Sequence, residues 1–332
     1  MAPVWRIFGI ELSPYSVKVR SYFRYKRIPH EWVVRHLGNM AEFQKHAKLP
    51  LVPLVLDPEG NAYQDSTPII EMLEARFPEP SIHPPDPARA FLSALLEEYG
   101  DEWGNKWMFH YRWWYEPDQE SAARRIAEAN LPGGDEAAVA KMAAAVRQRM
   151  VPRLSFVGSH EGTKPVIEAS FERVVALLEA HLAARPYLFG ARPAFADFGI
   201  WPQIYELSTD PTPGALLRER APRVMAWVER MLDPAAEGPF EPWEALAPTL
   251  EPLLREEVAG RFLPWSDANA KALAAGQSEF TVLLDSQPFT QQPQKYHAKS
   301  LGVLRERHRP VAGDPALRAV LERTGCLAWL GG

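Results

Sequence analysis

The feature that most constrains this chain is a run of prolines about a quarter of the way along it. Pro78, Pro80, Pro84, Pro85 and Pro87 fall within the segment from Phe77 to Pro87. Proline lacks the backbone N–H that helices and strand ladders need, so neither continues through this stretch. It marks a domain boundary. A chain of 332 residues also exceeds what one hydrophobic core usually serves.

The two sides of the boundary are patterned differently. Before it, Val4 to Ile10 reads as a buried strand and Pro14 to Lys26 as a helix with Tyr15, Val19, Tyr22 and Phe23 at helical spacing. His30 to Arg35, Val52 to Leu56 and the residues around Tyr63 read as strands. Met40 to Lys48 and Thr67 to Phe77 read as helices, and Asp57 to Asn61 as a turn. The order β-α-β-α-β-β-α predicts an α/β unit over residues 1–80. After the boundary strands nearly vanish. Helices are expected over 88–115, 119–130, 135–156, 165–184, 196–208 and 222–232, with Gly and Pro clusters such as Pro211 to Gly214 between them. That predicts an all-α unit over 86–250. From residue 251 to 332 the pattern changes to a helix, a hairpin-like stretch around 279–289 and a final helical region. Its aromatic residues predict an extension packed on the body.

Composition excludes several classes. The net charge is -5 and no Lys/Arg run stands out, which argues against a general nucleic-acid binder. A single cysteine, Cys326, leaves no internal disulfide and no cysteine zinc cluster. That usage suits a reducing compartment, and with no leader pattern and no long apolar run the expected location is cytoplasmic, away from membranes. The histidines show no metal-binding spacing, so no metal is expected.

Three short segments of the first unit carry candidate chemistry. In Ser13-Pro14-Tyr15-Ser16, Ser13 reads as a helix cap followed by a first-turn proline. In Leu51-Val52-Pro53-Leu54, a proline at a strand start fits either an edge position or a cis peptide that turns the Val52 backbone outward. In Gln64-Asp65-Ser66-Thr67, a helix start is either a simple cap or an anion site, with Asp65 available for an ammonium group.

In this order and spacing, the three segments resemble the N-terminal domain of glutathione transferases, with a turn like that of the serine-type, tau-like classes. The helical half, including Ala194-Phe195-Ala196-Asp197-Phe198, resembles their C-terminal domain. The resemblance runs from about Val4 to Leu232. It implies a thioredoxin-like βαβαββα domain followed by a helical bundle, with glutathione as co-substrate, a small hydrophobic electrophile as partner, and a homodimer. Carried over by position, Ser13 holds the glutathione sulfur as a thiolate, with Tyr15 beside it. Val52 and Pro53 meet the cysteinyl part, Asp65 and Ser66 the γ-glutamyl end, and Lys48 or His46 the glycyl carboxylate. Trp103, Trp107 and Tyr111, part of an aromatic stripe on the first helix after the prolines, are expected either in a packed core or in the electrophile pocket.

Two departures from the family pattern matter. Ser13 and Ser16 stand where glutaredoxins and omega-class enzymes carry cysteines, which removes the nucleophile for a mixed-disulfide route. The Ser/Thr expected three residues before the buried Asp197 is Ala194, so a hydroxyl cap is missing. The rival to a transferase is a non-catalytic, metaxin-like binding or assembly protein on the same fold.

Overall fold

A computed structural model describes residues 4–331. The first unit is built on β1 (Trp5–Gly9), whose Ile7 and Phe8 are both fully buried, so both faces of the strand are covered. It lies in a four-stranded sheet of order β2-β1-β3-β4, with β2 (His30–Val34) parallel to β1 and β3 (Leu54–Leu56) and β4 (Ala62–Gln64) antiparallel in turn. Side chains alternate across the sheet. Trp5, Ile7 and Val55 pack against α1 (Pro14–Tyr25) and α3 (Ser66–Arg76). Phe8, Leu54 and Leu56 pack against Phe43 of α2 (Met40–His46). This is a thioredoxin-like arrangement.

The second unit opens with α4 (Pro87–Tyr99), capped by the Asp86 carboxylate. The helix expected over 88–115 is interrupted: a π turn at Gly100–Gly104 leads into α5 (Asn105–Trp114). The cause is a backbone crossing with α9 (Phe195–Thr209). A Cβ on Gly100 would lie 2.5 Å from the Gly199 carbonyl carbon, and one on Gly199 would lie 2.4 Å from the Glu97 carbonyl oxygen. Two glycines let the helices touch, and the contact sets Glu97 and Asp101 against α1 and α3. The bundle continues with α6 (Glu116–Asn130), α7 (Glu136–Met150) and α8 (Lys164–His181). The helix expected to reach residue 156 stops at Met150, where Pro152 opens a 3-10 turn, Val151–Val157.

At α9 the missing hydroxyl at Ala194 is half compensated. Asp197 accepts the Ala194 N–H at 2.8 Å, and also the Leu188 N–H and the Trp227 indole N–H. Burial raises its pKa to about 7 even so. Pro211 to Gly214, expected as a break, instead begins α10 (Pro211–Arg220), because first-turn prolines are tolerated. Then follows α11 (Pro222–Arg230).

Residue 251, the expected start of the extension, falls inside α12 (Trp243–Leu253), which runs through a wide turn at Leu254–Phe262 into α13 (Leu263–Ala274). A hairpin follows, β5 (Phe280–Leu284) and β6 (Gln287–Gln291), then α14 (Lys295–His308), α15 (Pro315–Thr324) and α16 (Leu327–Leu330). The hairpin turn uses two residues, Asp285 and Ser286, at φ 50 and 63. Such a primed turn matches strand twist, and it leaves Gln287 and Pro288 in the second strand rather than in the turn. Phe280, Leu284, Phe289, Leu301, Leu304, Leu317, Leu321 and Leu330 join the core of the helical half. Among the described residues no helix is long and apolar enough to cross a membrane.

Candidate functional site

Sheet, bundle and extension meet at a cavity of about 480 Å³. The first unit contributes Tyr15, His46, Lys48, Leu49, Leu51, Val52, Pro53, Ala62, Gln64, Asp65 and Ser66. The π turn and α5 contribute Glu102 and Asn105, and α14 contributes Tyr296 and His297.

The loop beside the cavity is held by Gln64, the residue of the third segment to which the sequence assigns no role. Its carboxamide oxygen accepts from the backbone N–H of Lys48 at 2.8 Å and of Leu49 at 3.1 Å. Its nitrogen donates to the carbonyls of Leu49 and Leu51, each at 2.9 Å. One side chain therefore fixes both sides of the loop that precedes Val52 and Pro53. The peptide between those two is cis, the second of the two alternatives left open by the sequence.

Asp65 follows at φ 80, a left-handed value uncommon for a residue with a Cβ, and it immediately precedes α3. Its side chain makes no cap bond to the helix, so the first backbone N–H groups of α3 stay available at the positive end of the helix dipole. The nearly buried Ser66 begins that helix. Burial raises the Asp65 pKa, opposed by the charge of Lys18 and by the Tyr296 hydroxyl, 3.3 Å from one carboxylate oxygen.

Ser13 caps α1, its hydroxyl oxygen accepting the Ser16 N–H at 3.3 Å. It is 9% exposed and is not among the residues that line the cavity. Tyr15 is in the wall, with its phenol donating to the Asp101 carbonyl at 3.1 Å. Burial first, then Asp101, Glu102 and Asp65, drives the Tyr15 pKa well above 10.0, so this phenol stays protonated. The Ser16 hydroxyl is buried and has no partner among the described residues.

Beneath Tyr15 runs a charged network joining the two halves. The ammonium of Lys18, wholly buried, donates to Glu97 at 2.6 Å, Asp101 at 2.5 Å and Thr67 Oγ1 at 3.0 Å. The Thr67 hydroxyl in turn donates to Glu97 at 2.6 Å. Burial pushes Asp101 up to about 8 despite the lysine. The remaining two acids meet the extension: Glu98 accepts from the Ser300 hydroxyl, and Glu102 pairs with His297 Nδ1. Burial and the Glu102 charge hold the Glu98 carboxyl well above its usual range.

Trp103, Trp107 and Tyr111 do not reach the cavity. Both indole N–H groups donate to Ser170 Oγ, at 2.8 and 2.9 Å, and Ser170 donates to Glu257. Tyr111 packs its ring 5.0 Å from that of Phe171. The stripe lies on the side of its helix that faces α8 and the start of α13, and it is core. The residues that turn toward the cavity from the same stretch are the polar Glu102 and Asn105.

A family profile described as "Glutathione S-transferase, N-terminal domain" matches residues 7–81, and one described as "Glutathione S-transferase, C-terminal domain" matches residues 135–230, together about half of the chain. The chain belongs to the glutathione S-transferase family. Among curated proteins it is similar to a "Probable glutathione transferase omega-2" of Caenorhabditis briggsae, 31% identical over 99 residues, which is 29% of this chain and 39% of that relative. The match therefore spans about two fifths of that relative's length. Among solved structures it is similar to a glutathione S-transferase of Methylobacterium radiotolerans in complex with glutathione sulfonate, at 21% identity and TM-score 0.43, over 74% of this chain and 93% of that one. A beta-etherase, LigF, of Sphingobium is similar at 21% identity and TM-score 0.45, over 75% of this chain and 99% of that one. The stretch over residues 231–331, with the part of α14 that walls the cavity, lies beyond both transferase profiles.

Proposed function

We propose that this chain binds glutathione in the cavity and transfers its sulfur to a small hydrophobic electrophile. The observation that carries this reading is the gathering of Tyr15, Lys48, Val52, Pro53, Asp65 and Ser66 around one space, with an acidic and a basic side chain both in its lining. Glutathione is a tripeptide with an ammonium and a carboxylate at one end and a second carboxylate at the other. Asp65 takes the ammonium, and the Ser66 backbone and hydroxyl at the start of α3 take the adjoining carboxylate. The backbone of Val52, turned outward at the cis peptide, pairs with the cysteinyl part, and Lys48 or His46 meets the glycyl carboxylate.

The sulfur end is then directed toward the start of α1. In our reading Ser13 holds the thiolate. Its oxygen already accepts from Ser16 N–H, which leaves its own O–H to donate. Tyr15 is the weaker candidate, since its proton is committed to a carbonyl. A thiol ionises near pH 8.5, and a hydrogen bond to the anion is worth about 1.5–3 kcal/mol, or one to two pKa units. That keeps much of the bound thiol ionised at neutral pH. With serines at 13 and 16 a mixed-disulfide route through the protein has no sulfur to use, so attack on an electrophilic carbon is the reaction class we favour over disulfide exchange. Apolar Leu49 and Leu51, which line the cavity yet are largely exposed, are surface that a second copy would cover in a homodimer. We place the chain in the cytoplasm, where glutathione is plentiful.

The test is thermal. Glutathione at a hundredfold excess over its dissociation constant stabilises a single-site binder by about 2.7 kcal/mol. The melting temperature should rise in millimolar glutathione, and Asp65→Ala or Ser66→Ala should abolish the rise. No rise in the unaltered chain would end the transferase reading.

A further inference from the structure

We propose that the C-terminal extension supplies the acid–base group of the reaction, His297, held in register by Glu102. This rests on the transferase reading above and adds to it a residue from outside both matched domains. His297 lies in the first turn of α14 and lines the same cavity as Tyr15, Val52, Pro53 and Asp65. Its Nδ1 is paired with the Glu102 carboxylate, and its ring makes a T-shaped contact with that of Trp265, with centroids 4.8 Å apart. The imidazole is thus fixed on two sides by a charge and a wall. Nε2 has no protein partner among the described residues, and the side chain keeps 15% of its surface open.

A carboxylate on Nδ1 fixes the tautomer with the proton on that nitrogen, so Nε2 carries a lone pair. That is the arrangement in which a histidine accepts a proton from a substrate and its carboxylate partner stabilises the imidazolium that results. Written for this reaction, Nε2 takes the proton that the glutathione S–H gives up as Ser13 holds the sulfur as a thiolate. The sulfur electron pair forms the S–C bond, and the C–X bond breaks with its pair leaving on X. The imidazolium then returns its proton to X⁻ as HX, so the neutral imidazole is restored and no oxidant or reductant is consumed.

The charged and titratable groups around His297 come from α14 itself and from four other parts of the fold. Glu102, Asp101 and Glu98 stand on the π turn and the end of α4; Tyr15 and Lys18 are on α1; and Asp65 is at the head of α3. Lys106 on α5 is buried against the Trp265 ring, and Tyr296 and Lys299 flank His297 on α14. The acids outnumber the cations, and of them it is Glu102 that touches the imidazole.

The experiment compares the full chain with His297→Gln and Glu102→Gln. Each is titrated with glutathione, following the ultraviolet absorbance of the bound thiolate against pH, and each is assayed with an activated aryl halide. His297→Gln should still be stabilised by glutathione, because the proposed binding residues remain. Its kcat should drop by about 10²-fold or more, and the acidic limb of its rate profile should disappear. Its thiolate titration should move to higher pH. Glu102→Gln, which leaves the imidazole in place and an acceptor for Nδ1, should shift that limb without abolishing it. The double variant should be little worse than His297→Gln alone, because the two act as one unit. A thiolate titration and rate profile unmoved in His297→Gln, with glutathione still bound, overturn the proposal while leaving the transferase reading intact. An unmoved limb in Glu102→Gln does so too, even if His297→Gln fails to fold. If glutathione does not stabilise the unaltered chain, the reading and this proposal fall together.

Discussion

Lys18→Met isolates the interaction that locks the two halves of the molecule together. Lys18 is wholly buried, with its ammonium 2.6 Å from Glu97 and 2.5 Å from Asp101, on a helix that belongs to the opposite half from both acids. Methionine keeps most of the volume but none of the charge, so the substitution leaves two buried carboxyls without their cation. Removing one partner of a buried pair costs about 3–5 kcal/mol, far more than the ~1 kcal/mol of a surface ion pair. The pH dependence gives the sharper signature. Burial already raises Asp101 from 3.8 to about 8, and Lys18 is the first influence holding it down. A carboxyl whose folded pKa is raised contributes its stability fully below its unfolded value and loses it as pH rises through the folded one. Taking away Lys18 raises the folded value further, and each added pKa unit costs about 1.4 kcal/mol once the pH is above it. The deficit of Lys18→Met relative to the unaltered chain should therefore grow with pH. Urea unfolding at about pH 5 and about pH 9 measures it, and Lys18→Met/Asp101→Asn should recover part of the loss at the higher pH. A deficit below about 1 kcal/mol at neutral pH, or one equal at both pH values, would refute the reasoning.

Three further outcomes are expected. Gln64→Ala removes four bonds to the loop over 48–51 and should raise the glutathione Kd at least about tenfold by calorimetry; an unchanged Kd would show that the loop holds itself. Ser13→Ala should cost about 1 kcal/mol of stability through the lost cap, bind glutathione nearly as well, and raise the pKa of the bound thiol; an unmoved thiol titration would move the thiolate to Tyr15, Ser16 or the backbone. Limited proteolysis should not release residues 277–332, since Phe280, Leu284, Phe289, Leu301 and Leu304 are buried in the common core; a quickly liberated, stable and fully active remainder would contradict the proposed role of α14.

Much of the fold was legible because local signals there agree with tertiary ones. The alternation in Trp5 to Gly9 splits its side chains between two helix-covered faces, and the proline run ends one unit before the next begins. The failures have local causes too. Pro211 and Pro213 look like breakers, yet both sit in the first turn of α10, where a missing N–H costs nothing. The aromatic stripe of α5 was ambiguous between core and pocket because a spacing of three and four gives a face without saying what it faces. The partner of that face, Ser170 on α8, lies 63 residues beyond Trp107.

The extension was the least legible part of the site, and the reason lies in where its contacts end. Tyr296, Ser300, Leu301, Leu304 and His308 form one stripe by spacing, but the molecule divides it. Leu301, Leu304 and His308 are buried, the last with its ring 5.1 Å from that of Phe91 on α4. Tyr296 and Ser300 stay on the polar edge, where they reach Asp65 and Glu98, 231 and 202 residues away. Seen alone, the acids at 97, 98, 101 and 102 read as an ordinary charged helix surface. Packed as they are, four carboxyl groups in two turns need hydrogen-bond donors from elsewhere. Lys18 and Thr67 supply them from the first unit, and His297 and Ser300 from the last. The helix that joins the two transferase halves is thus completed on its other side by the extension. That is why α14 stands at the wall of the cavity rather than at the periphery of the bundle, and why a residue of the chain's final eighth lines the same cavity as residues of its first quarter.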